Sequence, residues 1–271
     1  MSKLTTTFNT LRQVNRTALM PYLTMGYPHL NSALDLVPAL VAGGADLIEL
    51  GLPFSDPLAD GTTIQAASQQ ALAQGMTPTR CLEQIGELRR RGVTVPLVLM
   101  SYYNPIYQMG AEPFAARADE VGLNGVISPD LPPEEADPLQ DSLAPRGIDE
   151  IFLLAPTPDE TRMAAVADRS RGFLYLVSLK GTTGARKTLP AHLDAFVGRV
   201  RAITDLPLAV GFGISTPAQA AQVARIADGV IVGSALIRAI TDAGDEGVEA
   251  AKAFVADLRK GMDRVESKQW I

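Results

Sequence analysis

One recurrence constrains this chain more than any other feature. A short apolar run is followed by a turn and then by an Ala/Leu-rich helical stretch, again and again along its length. The runs are Leu19–Thr24, Asp46–Leu50, Pro96–Ser101, Gly125–Ser128, Glu150–Leu154, Phe173–Ser178, Pro207–Gly211 and Gly229–Val232. They are mostly apolar throughout, as strands buried on both faces are. Successive starts differ by 27, 50, 29, 25, 23, 34 and 22 residues, so most intervals hold one βα unit and the longest has room for one extra helix. Such alternation points to a parallel sheet. An open doubly wound sheet is one solution. A closed (β/α)8 barrel fits better, because the count is eight and the 271 residues match the roughly 250 typical of that barrel. No low-complexity segment or Ser/Gly linker marks a boundary. The expected class is therefore α/β, a single (β/α)8 TIM barrel with extra helices over residues 1–271.

Helix-start signals support this reading. Thr157-Pro158-Asp159-Glu160 reads as an N-cap, a first-position proline and a capping-box glutamate. Ser215-Thr216-Pro217 does the same for Pro217–Ile226, and Leu131-Pro132-Pro133-Glu134-Glu135 opens another helix. Arg89-Arg90-Arg91-Gly92 ends one, with cations at the negative end of the dipole and a glycine stop; its plainer meaning is a solvated charged face.

Composition narrows the function classes. Lys plus Arg is 24 and Asp plus Glu is 30, a net charge of −6, which suits neither nucleic acid nor an anionic membrane. The longest apolar runs, such as Val95–Met100, are far too short to span a bilayer, and Met1–Arg12 is polar with no signal core. The single cysteine, Cys81, excludes an intrachain disulfide, so a cytoplasmic setting is expected. Cys81 lies in a helical stretch and reads as structural, and Met25, Met76, Met100 and Met109 read as core filler. His29 and His192 are far apart in the chain, and no His-based metal site is expected.

In a barrel the chemistry sits at the C-terminal strand ends. Glycine-bearing loops follow the last three strands: Gly181-Thr182-Thr183-Gly184, Gly211-Phe212-Gly213-Ile214-Ser215 and Gly233-Ser234. The helices beginning at Thr216 and Ser234 are positioned to aim their positive ends at an anion, which points to phosphate. On the second strand Leu47 and Glu49 share one face, Ile48 and Leu50 the other. Glu49 then either points into the barrel mouth, with a raised pKa suited to acid–base work, or joins a buried ion pair. In the next loop, Pro53 to Gly61, Asp60 can cap the helix from Thr62 or serve catalysis, and Asp56 can be a turn residue. Asp130 reads chiefly as a turn former. Lys180 reads as an exposed loop lysine, with a Schiff-base aldolase as the rival.

The stretch Ile48-Glu49-Leu50-Gly51-Leu52-Pro53-Phe54-Ser55-Asp56-Pro57-Leu58-Ala59-Asp60-Gly61 closely resembles the signature of the tryptophan synthase α subunit family. The resemblance continues through Ser101-Tyr102-Tyr103-Asn104-Pro105, Asp130-Leu131-Pro132, Tyr175-Leu176-Val177-Ser178, Gly211-Phe212-Gly213-Ile214 and Val232-Gly233-Ser234, covering roughly residues 8 to 262. It implies a (β/α)8 barrel without metal or organic cofactor, cleaving indole-3-glycerol phosphate to indole and glyceraldehyde 3-phosphate. It makes Glu49 and Asp60 catalytic. It gives substrate binding to Tyr22, Tyr175 and Phe212, with Gly184, Gly213, Gly233 and Ser234 on the phosphate and Thr183 closing over the site with its loop. Departures are Ser178–Gly184, which differs from many members around Thr183 and Gly184, Thr62 for a common proline, and Tyr22 for a common phenylalanine.

The resemblance also implies a partner, a pyridoxal-phosphate β subunit in an αββα assembly that receives the indole. Asp56, Pro57 and Asn104 are the expected contacts, on the loops Pro53–Pro57 and Tyr102–Ile106, whose tyrosines and prolines are expected to be exposed. Two rivals remain: a stand-alone lyase releasing free indole, and a silent regulatory subunit, against which the retention of Glu49 and Asp60 argues.

Overall fold

The computed structural model, which describes residues 1–177, 193–211 and 213–265, turns the eight apolar runs into nine parallel strands. They are β1 (Ala18–Thr24), β2 (Ile48–Gly51), β3 (Leu97–Met100), β4 (Gly125–Ile127), β5 (Asp149–Ile151), β6 (Leu153–Leu154), β7 (Leu174–Val177), β8 (Leu208–Gly211) and β9 (Gly229–Val232). Their order is β5-β4-β3-β2-β1-β9-β8-β7-β6. Because β5 and β6 are consecutive pieces of one run, the two ends of that order meet and the sheet closes into a barrel.

The run expected to be a single strand is split at Phe152, where the chain changes neighbours from β4 to β7. The Phe152 N–H donates to Ser170 Oγ at 3.2 Å and its carbonyl accepts from the Tyr175 N–H at 3.1 Å. One strand position is therefore satisfied by a side chain instead of by the β4 ladder.

Alternation along each strand sorts the core. Leu19, Leu23, Ile48, Leu50, Leu97 and Leu99 pack outward in the main core cluster, while Met20, Leu47, Val98, Ile127, Ile151, Tyr175 and Ala209 fill the axis. The two faces expected for β2 are kept, and the structure assigns them: Leu47 inside, Ile48 and Leu50 outside.

The helices are α1 (Lys3–Gln13), α2 (Ala33–Ala42), α3 (Thr62–Ala73), α4 (Pro78–Arg90), α5 (Tyr103–Met109), α6 (Ala111–Glu120), α7 (Asp137–Leu143), α8 (Glu160–Arg169), α9 (Leu193–Arg201), α10 (Pro217–Ala224), α11 (Ser234–Ala243) and α12 (Gly247–Asp263). The long interval after β2 holds α3 and α4, so the extra helix is present. Helix α1 was not expected from its Thr-rich sequence. It is capped by Ser2, which accepts from the Thr5 N–H, and it sends Leu4 and Phe8 into the axial core, where Phe8 meets Phe173 at 5.6 Å between ring centroids. Burial of two apolar side chains outweighs the low helix propensity of the threonines.

Two local readings need correction. The N-cap of α8 is Asp159, accepting from the Arg162 N–H, and not Thr157. The arginine run at the end of α4 is only partly a solvated face: Arg89 donates to the carbonyls of Gly122, Val93 and Val95 and to Asn124 Oδ1, while Arg90 and Arg91 pair with Glu87. Arg89 thereby ties the end of α4 to the turns entering β3 and β4.

Candidate active site

The pocket at the C-terminal mouth of the barrel is assembled from strand ends. β2 supplies Glu49, which pairs in register with Tyr22 of β1. Both inward side chains therefore reach the same level. Glu49 is 1% exposed, and neither carboxylate oxygen has a hydrogen-bond partner among the described residues. Burial, with the charge of Asp60 adding to it, pushes its carboxyl up to about 8. No ion pair with a described residue offsets the desolvation, so at neutral pH this group holds its proton. The buried-ion-pair reading of Glu49 finds no partner among the described residues.

Asp60 closes the loop between β2 and α3. It is buried and lines the same pocket. The capping reading fails, because Gly61 is the N-cap of α3 and no side chain caps that helix. Burial pushes the Asp60 carboxyl up to about 6, while a hydrogen bond from Tyr102 pulls it down. Asp60 is thus mostly ionised at neutral pH beside a protonated Glu49. The Tyr102 hydroxyl also accepts from the Ala59 N–H at 2.8 Å, and its ring stacks on Phe54 at 5.1 Å. Tyr102, expected on an exposed loop, is buried and fastens the loop that carries Asp60.

Two tyrosines wall the pocket. Tyr22 crosses over Gly51, where a Cβ would stand 2.0 Å from its hydroxyl oxygen. Tyr175 crosses over Gly211, where a Cβ would stand 2.3 Å from its hydroxyl oxygen. Only glycine on the neighbouring strand leaves room for each ring. Burial raises both phenols well above their ordinary range, with Asp60 next for Tyr22 and Glu49 next for Tyr175, so both remain neutral hydroxyls. Ile64, Met100, Leu153 and Ile231 make the apolar lining. Met100, expected as core filler, is therefore part of the pocket wall.

The opposite side of the pocket is made of glycines and a helix start. Gly213, with φ of +66°, lies in the loop after β8, and Gly233 and Ser234 open α11; all three line the pocket. The two helix N-termini expected there differ. At α10 a capping box of Thr216 and Gln219 binds the N-terminal donors, and the Gln219 Oε1 also accepts from the Ser215 and Thr216 N–H groups. At α11 the N-cap is Gly233 and no side chain caps the helix, so its N–H groups and positive end face the pocket.

Of the other expected site residues, Thr183, Gly184 and Phe212 lie outside the described residues, as does Lys180. Asp130 is a turn residue whose Oδ1 accepts from the Tyr103 N–H at 2.8 Å, capping α5. Asp56 and Asn104 are exposed and Pro57 is half-buried, with exposed Leu58 beside Pro57 and exposed Tyr107 on α5, the helix that takes up most of the expected loop Tyr102–Ile106. Cys81 is buried in α4. Among the described residues no cluster of three His, Cys, Asp or Glu side chains could hold a metal, and no helix is long and apolar enough to cross a membrane. Sequence reasoning missed Arg238 as a pocket residue and Tyr102 as the side chain behind Asp60. Tyr102 directly follows a strand end, and Arg238 stands four residues after Ser234 on one helical face, so both carried a readable signal.

The family model described as the tryptophan synthase alpha chain matches residues 8–265. The chain belongs to the tryptophan synthase alpha chain family. It is 51% identical over 265 residues to the alpha chain of Chloroflexus aurantiacus, covering 97% of this chain and 100% of that one. It is 52% identical over 260 residues to that of Roseiflexus sp. (strain RS-1), covering 96% and 100%. The solved alpha subunit of Legionella pneumophila superposes with a TM-score of 0.90 at 38% identity, over 98% of this chain and 100% of that one. A chain of Mycobacterium tuberculosis tryptophan synthase gives 0.89 at 40% identity, over 96% and 98%. Membership makes this alpha chain a lyase of tryptophan biosynthesis, with a β subunit as its partner.

Proposed function

We propose that this pocket cleaves indole-3-glycerol phosphate to indole and glyceraldehyde 3-phosphate, with Glu49 as the acid–base group and Asp60 as the countercharge for the ring. The observation that carries the reading is Glu49: a buried carboxyl with no hydrogen-bond partner among the described residues, poised at about 8 beside Asp60 at about 6. Two carboxyls so separated can hold one proton between them in a defined place.

Glu49 gives its proton to the ring carbon that bears the glycerol chain. The positive charge that develops on the ring is balanced by Asp60, which accepts the ring N–H hydrogen bond as that bond strengthens. The Glu49 carboxylate then takes the proton of the adjacent chain hydroxyl. The carbon–carbon bond breaks, its electron pair returns to the ring, and the hydroxyl carbon becomes the aldehyde. Glu49 ends protonated, as it began, so the step is balanced without a co-reactant.

Tyr22, Tyr175 and Phe212 are assigned to the indole ring, and Gly184, Gly213, Gly233 and Ser234 to the phosphate, with Thr183 on the covering loop. The β subunit is assigned as a pyridoxal-phosphate enzyme docked on Asp56, Pro57 and Asn104 in an αββα assembly, in the cytoplasm. The test is indole release from indole-3-glycerol phosphate by the wild-type chain and by Glu49→Gln, with and without β subunit. The variant is expected to fold, bind ligand and lose about 10²–10⁴ in rate. More than about a tenth of wild-type turnover in Glu49→Gln would remove Glu49 from the chemistry, and full turnover with no complex would favour a stand-alone lyase.

A further inference from the structure

The phosphate side of the pocket, as assigned above, contains backbone donors, a hydroxyl and a helix end but no full positive charge. A phosphate monoester carries close to two negative charges at neutral pH. The pocket also holds two carboxyls, one of them ionised, which raises the need for a cation at the far end. Among the described residues that line the pocket, the only cationic side chain is Arg238.

Arg238 sits one helical turn after Ser234 on α11, so both side chains stand on the same helical face. It is half-buried and forms no ion pair with any described carboxylate; its guanidinium donates to Thr63 Oγ1 at 3.3 Å. A guanidinium has five N–H donors in a fixed fork, and one bond to a hydroxyl leaves most of them available. Thr63 belongs to the first turn of α3, three residues after Asp60. Next to this bridge, Ile237 of α11 packs with Ile64 and Ala67 of α3 and with Tyr22.

We propose that Arg238 binds the phosphate end of the substrate as its countercharge, and that its bond to Thr63 joins the phosphate cradle to the helix that follows Asp60. The proposal rests on the phosphate assignment of the previous subsection. Charge-assisted bonds from a forked guanidinium to phosphate are about twice as strong as neutral ones. Arg238 therefore selects substrates that end in a dianion over neutral indole derivatives. The Thr63 bond also places the selecting group in register with the loop on which the ring countercharge stands.

The test separates the two halves of the substrate. Glycerol 3-phosphate and indole are titrated separately into wild type, Arg238→Met and Arg238→Lys, and KM and kcat are measured with indole-3-glycerol phosphate. Arg238→Met is expected to weaken glycerol 3-phosphate and raise KM by about 10- to 100-fold while indole binding stays within about twofold. Arg238→Lys, which keeps the charge without the fork, is expected to recover most of the loss. Unchanged glycerol 3-phosphate affinity and KM in Arg238→Met would overturn the proposal. Equal loss of indole and glycerol 3-phosphate affinity in both variants would make Arg238 a packing residue and overturn it too. Failure of wild type itself to bind glycerol 3-phosphate or cleave the substrate would instead remove the site reading on which the proposal stands.

Discussion

The Tyr102 hydroxyl accepts from the backbone N–H of Ala59 and donates to the carboxylate of Asp60, so one phenol fixes both the loop and its charge. The relationship is two-sided. The bond lowers the Asp60 carboxyl against the raising effect of burial, and the loop is held where that carboxyl faces the pocket.

Tyr102→Phe is therefore expected to move the Asp60 carboxyl further above about 6 and to loosen the loop together. With the bond gone, less Asp60 is ionised at neutral pH. The acid limb of kcat/KM is expected to move to higher pH and the plateau to fall by about tenfold. A variant with an unmoved acid limb would show that the phenol does not tune Asp60.

Wild-type kcat/KM is expected to be bell-shaped. The working state has Asp60 ionised and Glu49 protonated, so activity rises as pH climbs through about 6 and falls as it passes about 8. Asp60 contributes to the raised value of Glu49, so in Asp60→Asn the residual activity should lose its basic limb at a lower pH. A pH–rate series on both proteins decides it. An alkaline limb that stays in place in Asp60→Asn argues against electrostatic coupling of the pair.

Much of this site was legible in the sequence. The alternation Leu47-Ile48-Glu49-Leu50 already put Glu49 on the face of Leu47, because strand periodicity needs no tertiary information, but which face lines the axis came only with the closed barrel. Asp60 was only half legible: a short acidic residue before a helix is the usual sign of a cap, and only the placement of Gly61 as the N-cap removes that role. Tyr102 was misread as exposed because nothing local reports that its ring will stack on Phe54. Helix α1 was invisible for a related reason. Its two core side chains, Leu4 and Phe8, are too sparse to make an amphipathic pattern until the open end of the barrel receives them. The strand break at Phe152 depends on Ser170, eighteen residues away.

Stability should fall as pH rises. The folded-state Glu49 carboxyl lies above its unfolded value of about 4.5, so the native chain holds a proton that the unfolded chain releases between those limits. That contribution is fully present below about 4.5 and is lost as pH rises through about 8. Each tenfold change in proton affinity is worth about 1.4 kcal/mol, so the total is a few kcal/mol. Glu150, also near 8, adds the same trend in any variant that retains it. Glu49→Gln is expected to gain Tm over wild type at pH 8 and to lose most of that gain at pH 5. Thermal melts giving a constant difference across that range would mean Glu49 is not held protonated by the fold.

Glycine substitutions should divide sharply by what lies above them. At Gly211 a methyl group meets the Tyr175 ring, so Gly211→Ala is expected to displace that ring, with turnover falling at least about tenfold. Gly198, within α9, has nothing within 4 Å of the added carbon. Gly198→Ala should leave turnover unchanged and gain about 0.5–1 kcal/mol from helix propensity. Equal effects at the two positions, by assay and melting, would contradict the close packing of Tyr175 on Gly211.

The last prediction concerns the β subunit. Leu58 is 90% exposed, on the loop that carries Asp56 and Pro57, and Tyr107 is 66% exposed, on α5 with Asn104. Leu58 is two residues before Asp60, and its neighbour Ala59 is the residue anchored to Tyr102. A partner that covers Leu58 therefore bears on the segment that holds Asp60. Covering it is expected to restrict that loop and raise the cleavage rate, since a catalytic carboxylate held in one position needs no further ordering in the transition state. Tyr107 stands on α5, outside the pocket, so Tyr107→Glu should leave basal turnover within about twofold while placing a charge in the contact. It is expected to weaken β-subunit binding by at least about tenfold, because an unpaired charge at a buried contact is strongly disfavoured. Titrating β subunit against indole release from wild type and Tyr107→Glu checks this. If both proteins are activated with the same midpoint, the interface does not include α5; if wild type is not activated at all, the loop is already ordered in the free chain.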